Sequence, residues 1–238
     1  MALVDMLSTA DAAGVLGVSE RRVRSLVAQG DLTGVRVGGS LLVDPMSLAR
    51  RQAVATGMSR ALSPRMSWAC LLTDLGTRDV RAVAATFGLS ATEVGRLKRS
   101  HERPVDDWSW VARRRAVPSL FTVRAGFLHE VTTARGVARS GISALDVFPE
   151  VDLTSTTFSA ELYTTSATVE SLRDEFGMRP ATDGNVIVRV VADDMWTRLS
   201  RHLLIAGVMG SATVAVDLLE SVDVRTRRAG ASLLASVP

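Results

Sequence analysis

Residues 7–44 read LSTADAAGVLGVSERRVRSLVAQGDLTGVRVGGSLLVD, and the placement of glycine and serine in that stretch sets the architecture of the front of the chain. Ser8 or Thr9 can cap a short helix whose buried face is Ala12, Ala13, Val15 and Leu16. Gly17-Val18-Ser19 then breaks the helical period. Gly17 is free to take the positive φ of a tight helix exit, and Ser19 stands where a new helix is capped. That second helix runs from Glu20 to about Gln29 and stops at Gly30. Val23, Leu26 and Val27 lie three and four apart on its inner face, which turns Arg21, Arg22, Arg24 and Ser25 outward. Beyond it, apolar residues alternate from Leu32 to Val37 and resume at Leu41-Leu42-Val43, on either side of Gly38-Gly39-Ser40, a strong hairpin signal. Asp44 with Pro45 opens a third helix, through Leu48 to about Gln52.

Helix, turn, helix, hairpin, helix is the order of a winged helix-turn-helix, which inserts its second helix into the major groove of DNA. Arginine suits that task because its planar fork can bond guanine O6 and N7 together or grip a phosphate. The expected DNA-reading face is Ser19, Arg21, Arg22, Arg24 and Ser25. The expected wing is the hairpin tip, with Gly38 and Gly39 making the turn and Arg36 beside the backbone. This stretch, about a fifth of the chain, resembles the excisionase and MerR type of small winged DNA-binding domain. The resemblance implies double-stranded DNA as a partner.

Around this segment the composition is that of an ordinary folded protein: 238 residues, 47% hydrophobic and 22% charged, which excludes disorder, collagen and coiled coil. Lys98 is the single lysine among 28 basic residues, so the pI of 9.9 reflects an arginine-rich coding bias as well as function. The distribution of charge is more telling. Residues 1–65 carry 8 basic and 5 acidic groups, residues 66–140 carry 12 and 7, and residues 141–238 carry 8 and 13. A basic front suits a polyanion, and an acidic back suits a protein partner or simple self-neutralisation. Cys70 is the one cysteine, which excludes an intrachain disulfide and a cysteine-built zinc site and leaves a core role. The first twenty residues lack a signal-peptide pattern, and the longest apolar stretch, Leu203 to Val216, is too short and too interrupted to span a bilayer, so a cytoplasmic location is expected.

The expected organisation is mainly α with a small α/β end: a winged domain at 1–52, a linker at 53–65, a helical region at 66–140 and an α/β domain at 141–238. In the helical region Trp68, Leu71, Leu72 and Leu75 have helical spacing. A second helix pair is spelled by RAVAATFGLSATEVGRLKRS at 81–100, turning at Gly88-Leu89-Ser90 and bearing Arg96, Lys98 and Arg99. It reads either as a second DNA contact or as an ordinary helical pair. Arg113-Arg114-Arg115 reads as a solvated face or a salt-bridged core edge. In the last domain Glu161–Thr165 and Val186–Val191 read as strands, Ser166 caps a helix ending near Phe176-Gly177, Ser211–Glu220 is helical, and Asp223 caps a final helix with Ala229, Leu233 and Leu234 inward.

A further resemblance lies in GNVIVRVVADDMW (184–196) with VAVDLLESVDVRTRRAGASLL (214–234), supported by LSPRMSWACLLTDL (62–75) and RRRAVPSLF (113–121). These segments resemble the AbiEi family of type IV antitoxins. The resemblance implies a winged amino-terminal domain that represses its own operon and a partner toxin that is a nucleotidyltransferase, acting with or without a stable complex. The alternative is a stand-alone regulator or excisionase-like factor whose last domain serves homodimerisation or ligand sensing.

Catalytic patterns are not evident. His101, His129 and His202 have no metal-ligand spacing, and no phosphate-binding glycine loop or nucleophile elbow occurs. Gly210-Ser211 precedes Asp217, but Leu219 stands where a second metal-binding carboxylate is needed. Asp106-Asp107 and Asp193-Asp194 read as turn or cap residues. The expectation is a DNA-binding protein rather than an enzyme, with no metal and no cofactor.

Overall fold

The computed structural model describes residues 6–29, 31–37, 39–45, 47–48, 51, 61–149, 151, 153, 159–181, 183–204, 207–221 and 223–237, and it is a mixed α+β fold in two compact units, residues 1–60 and 61–238.

The first unit runs β1 (Leu7–Ser8), α1 (Thr9–Leu16), α2 (Glu20–Ala28), β2 (Gly34–Val37) and β3 (Ser40–Val43). Ser8 caps α1 in a capping box with Asp11, and the chain leaves α1 through Gly17 at φ 63°, ψ 32°. Ser19 then caps α2, its Oγ accepting the Arg22 N–H at 3.3 Å. The strands form an antiparallel sheet in the order β1-β3-β2, with Val37 opposite Ser40 across the turn and Gly39 at φ 87°. Ala12, Ala13, Val23, Leu26, Leu32, Val43 and Leu48 make its core. Val15, expected in that core, is 43% exposed. At about 100° per residue, Ala12, Ala13 and Leu16 share one arc of α1 and Val15 falls outside it. The expected third helix is present at Pro45, Ser47, Leu48 and Arg51, with the Asp44 carboxylate accepting the Ser47 N–H at 2.8 Å. Gly38, Gln52 and residues 53–60 of the expected linker lie outside the described residues.

The second unit begins at 61, and the other end of the expected linker is structured. Ser63 caps α3 (Pro64–Leu72), and Leu62 donates its N–H to Val111 O at 2.9 Å. Then follow α4 (Val80–Phe87), α5 (Ala91–Lys98), α6 (Trp108–Val111), β4 (Val117–Thr122), α7 (Leu128–Thr133) and β5 (Ala138–Arg139). The chain continues through β6 (Ala160–Thr164), α8 (Ser166–Phe176), β7 (Arg179–Pro180), β8 (Val186–Val190), α9 (Asp193–Leu199), α10 (Ser211–Leu219) and α11 (Val224–Ser236).

Two expectations are corrected here. Residues 66–140 are not wholly helical, and the boundary at 140/141 does not separate domains. β4 and β5 come from the first stretch and join β6, β7 and β8 in one sheet, ordered β5-β6-β8-β4-β7. β6 and β8 are parallel, joined through α8, and β8 pairs antiparallel with β4 from Val117 opposite Val190 to Phe121 opposite Val186. On one face Phe121, Leu162, Val186 and Val188 pack with Leu128, Val131, Val169 and Leu172 from α7 and α8. Glu161, Tyr163 and Arg189 point to the other face, since successive strand residues alternate sides. All five residues of β6 are buried, so helices cover the sheet on both faces there.

Candidate nucleic-acid interface

α2 takes its orientation from its apolar face. Val23 and Leu26 are buried among Ala12, Ala13 and Val43, and this places the opposite face in solvent. Arg21, Arg22 and Arg24 are exposed, Ser19 is exposed beside them, and Ser25 is half-buried. The expected reading face is thus brought together on one helix. Arg21 and Ser25, one turn apart, lie at its centre, while Arg22 and Arg24 flank it about 160° apart around the axis.

The three arginines are not equivalent. Arg24 Nη2 bonds Glu20 Oε2 at 2.7 Å, and the same carboxylate oxygen accepts the Thr9 hydroxyl at 2.7 Å. Glu20 therefore ties the start of α2 to the start of α1 and offsets part of the Arg24 charge. Among the described residues Arg21 and Arg22 have no carboxylate partner. Sequence reasoning counted Glu20 only as a helix starter. Its spacing of four from Arg24 was the available signal for the pair.

The hairpin beside this helix is held by four facing pairs, including Arg36 opposite Leu41. The Arg36 backbone lies in β2, while its side chain, like Gly38 as a whole, falls outside the described residues.

A buried electrostatic cluster lies in the second unit; the salt-bridged core edge read at Arg113-Arg114-Arg115 is met at Arg115, while its partners were not foreseen. Arg115, Tyr163, Arg189 and Asp217 are buried with Glu161, and Glu220 sits at their edge. Asp217 Oδ1 accepts from Arg115 Nη2 and from the Tyr163 hydroxyl, the latter at 2.8 Å, with Arg189 Nε at 3.3 Å. Its Oδ2 accepts from Ser140 Oγ. Arg115 also donates to Glu220 at 2.7 Å and to Tyr163 at 2.8 Å. Arg189 reaches Glu161 at 3.1 Å and the second Glu220 oxygen at 3.0 Å. Trp68 Nε1 donates to Arg115 O at 3.0 Å and packs edge-on against Tyr163.

These groups come from the turn before β4, from β6, from β8 and from α10, so the cluster fastens the helices to the sheet. Burial works to raise the pKa of Asp217, but Arg189 and Arg115 outweigh it and hold the carboxyl below its ordinary range. Burial raises the pKa of Glu161 despite Arg189. The Arg115 and Arg189 guanidiniums stay charged because the carboxylates around them overcome the cost of burial. Burial also pushes the Cys70 thiol up to about 11.

The other residues weighed for chemistry are dispersed. His101 and His129 are exposed, and His202 is half-buried. Asp193 and Asp194 stand in the first turn of α9, where carboxylates favour the helix dipole. Asp217 lies on a helix with its oxygens committed to Arg115, Arg189, Tyr163 and Ser140. Among the described residues no group of three or more His, Cys, Asp or Glu could hold a metal ion, and no helix is long and apolar enough to cross a membrane. Comparison with protein-family models, curated proteins and solved structures gives no match to this chain.

Proposed function

We propose that the chain is a sequence-specific double-stranded-DNA-binding repressor whose residues 1–52 form a winged helix-turn-helix. The observation that carries the reading is the outer face of α2. Two arginines without carboxylate partners among the described residues, Arg21 and Arg22, stand on a helix whose opposite face is locked into a core and whose neighbour is a short hairpin. Arg21 and Ser25 at the centre of that face are the base readers. Arg22 and Arg24 on its flanks meet the phosphates of the two groove walls, and the β2–β3 tip with Arg36, Gly38 and Gly39 is the wing.

The biological setting we propose is an autoregulating antitoxin that counters a nucleotidyltransferase toxin, supported by the AbiEi-like segments at 184–196 and 214–234. In this reading the second unit carries the antitoxin role as a protein surface.

The DNA claim is tested by fluorescence anisotropy with duplex from upstream of the chain's own gene and with random duplex, at several salt concentrations. Arg21→Ala should narrow the preference between the two duplexes by about 1–3 kcal/mol, and Arg22→Ala should weaken both alike and flatten the salt dependence by about 0.9 in log–log slope. Equal affinity of the unaltered chain for both duplexes would refute sequence-specific repression. The antitoxin claim is tested by co-expression with a neighbouring nucleotidyltransferase gene. Rescue of growth should survive loss of the α2 arginines and fail without residues 61–238. No rescue by the full chain would leave a stand-alone regulator.

A further inference from the structure

The α4–α5 pair repeats the build of α1–α2 at an offset of 71 residues. Both first helices are eight residues long and end in a left-handed glycine, Gly17 at φ 63°, ψ 32° and Gly88 at φ 58°, ψ 44°. The next residue turns its N–H back into the helix, Val18 to Ala13 O at 3.1 Å and Leu89 to Ala84 O at 2.9 Å. An extended serine then caps the second helix, with Ser19 Oγ accepting from Arg22 N and Ser90 Oγ from Glu93 N, both at 3.3 Å. Val94 and Leu97 take the inward positions of Val23 and Leu26, although Val94 is only half-buried.

The turn of the second pair is clamped. Arg65 donates to Phe87 O at 3.4 Å and to Gly88 O at 3.3 Å, and it also pairs with Glu93. Arg198 donates to Thr86 O and lies over the Phe87 ring. The helix's one carboxylate is thereby committed to Arg65 and to the Ser90 cap. Arg96, Lys98 and Arg99 are exposed and have no carboxylate partner among the described residues. Between them sits Gly95, where a Cβ would meet only Arg99 Nη1 at 3.9 Å. Internal packing does not require glycine there, and glycine costs a helix stability. Close approach of a ligand to the backbone does call for it.

We propose that α5 is a second double-stranded DNA contact, with Thr92, Arg96, Lys98 and Arg99 facing the duplex and Gly95 letting the helix backbone come close. This rests on the reading of the chain as a DNA-binding protein and extends it to the second unit, so that one chain grips DNA through two helix pairs. No hairpin follows α5, so this contact relies on the helix alone.

The experiment compares four full-length variants with the unaltered chain on random duplex and on duplex from upstream of its own gene: R96A/K98A/R99A, Gly95→Gln, R21A/R22A/R24A, and the exposed control R225A/R228A. Thermal unfolding by circular dichroism checks that each is folded. The α5 triple variant should lose about tenfold or more in random-duplex affinity at low salt and flatten the salt slope by about 2–3, while the control changes neither. Gly95→Gln should unfold at the same or a higher temperature and still bind DNA more weakly. An α5 triple variant that keeps the affinity and slope of the control overturns the proposal, as does full binding by Gly95→Gln. If the α2 triple variant binds as the control does while the α5 triple variant is weakened, the first contact fails and this one stands; if neither the unaltered chain nor any variant binds either duplex, both fail.

Discussion

Replacing Asp217 by asparagine probes the electrostatic cluster that fastens the second unit. The substitution keeps the shape of the side chain and removes its charge. The asparagine can still present its carbonyl to Arg115, Tyr163 and Arg189, and its amide to Ser140, whose hydroxyl can turn to accept. What is lost is the charge between two buried guanidiniums, and breaking a buried pair from one side costs about 3–5 kcal/mol. For a unit of this size each kcal/mol lowers the unfolding temperature by roughly 2–4 °C, so a fall on the order of 6–20 °C is expected. The pH dependence gives a second reading. Asp217 is held below its ordinary pKa when folded, so its stabilisation is present above about pH 4 and is lost as pH falls through the lower folded value. Glu161 has a raised pKa, so its ionisation opposes folding as pH rises above about 4.3. Glu161→Gln should therefore cost less than Asp217→Asn at neutral pH. Thermal unfolding followed by circular dichroism, stepped from about pH 7 down to about pH 2, measures both. If Asp217→Asn shifts the unfolding temperature by no more than a surface substitution does, the cluster is not what joins these elements.

Ser19→Ala should cost about 1 kcal/mol of stability in the first unit through the lost α2 cap, read in urea titration, and any loss of DNA affinity beyond that would mark a direct contact. Glu20→Gln should release Arg24 and tighten binding to random duplex at low salt, measured by anisotropy. Gly230→Ala should destabilise the second unit by about 1–3 kcal/mol, read in urea titration, because the added Cβ meets Ala215 O at 2.7 Å and Leu218 Cβ at 2.8 Å where α10 and α11 pack closely.

The parts of the molecule that sequence reading anticipated are those set by local chemistry. Gly17, Ser19, Gly177 and Asp223 act within a turn or two of their own position, and the element boundaries they mark lie where expected, whereas the cap expected of Ser166 falls one residue earlier, on Thr165, whose Oγ1 accepts the Thr168 N–H at 3.3 Å. The outward set on α2 followed in the same way from the inward spacing of Val23 and Leu26. What escaped depends on partners far along the chain. Val117–Thr122 carries a proline at Pro118 and showed no strand pattern by itself, yet it fills the sheet between β8 and β7. Alternating polar residues such as Glu161, Tyr163 and Arg189 look like a solvent-facing strand side when read alone. They are buried because Asp217, from α10, and Arg115, from before β4, arrive to pair with them. The self-neutralisation expected of the acidic back is met in part by the same cluster, where Arg189 pairs with Glu161 and Glu220. Glu161, Asp217 and Glu220 are consumed by this cluster, so the surface of residues 141–238 is less acidic than its composition.

The central claim is that the outer face of α2 reads DNA sequence, and selection from a pool of random duplexes tests it most directly. The unaltered chain and the R21A/R22A/R24A variant would each be carried through repeated rounds of binding and amplification, followed by sequencing of the retained pools. The account predicts that the unaltered chain enriches a defined motif and that the variant, folded by circular dichroism, does not. A retained pool indistinguishable from the starting one, or the same motif enriched by both proteins, would contradict it.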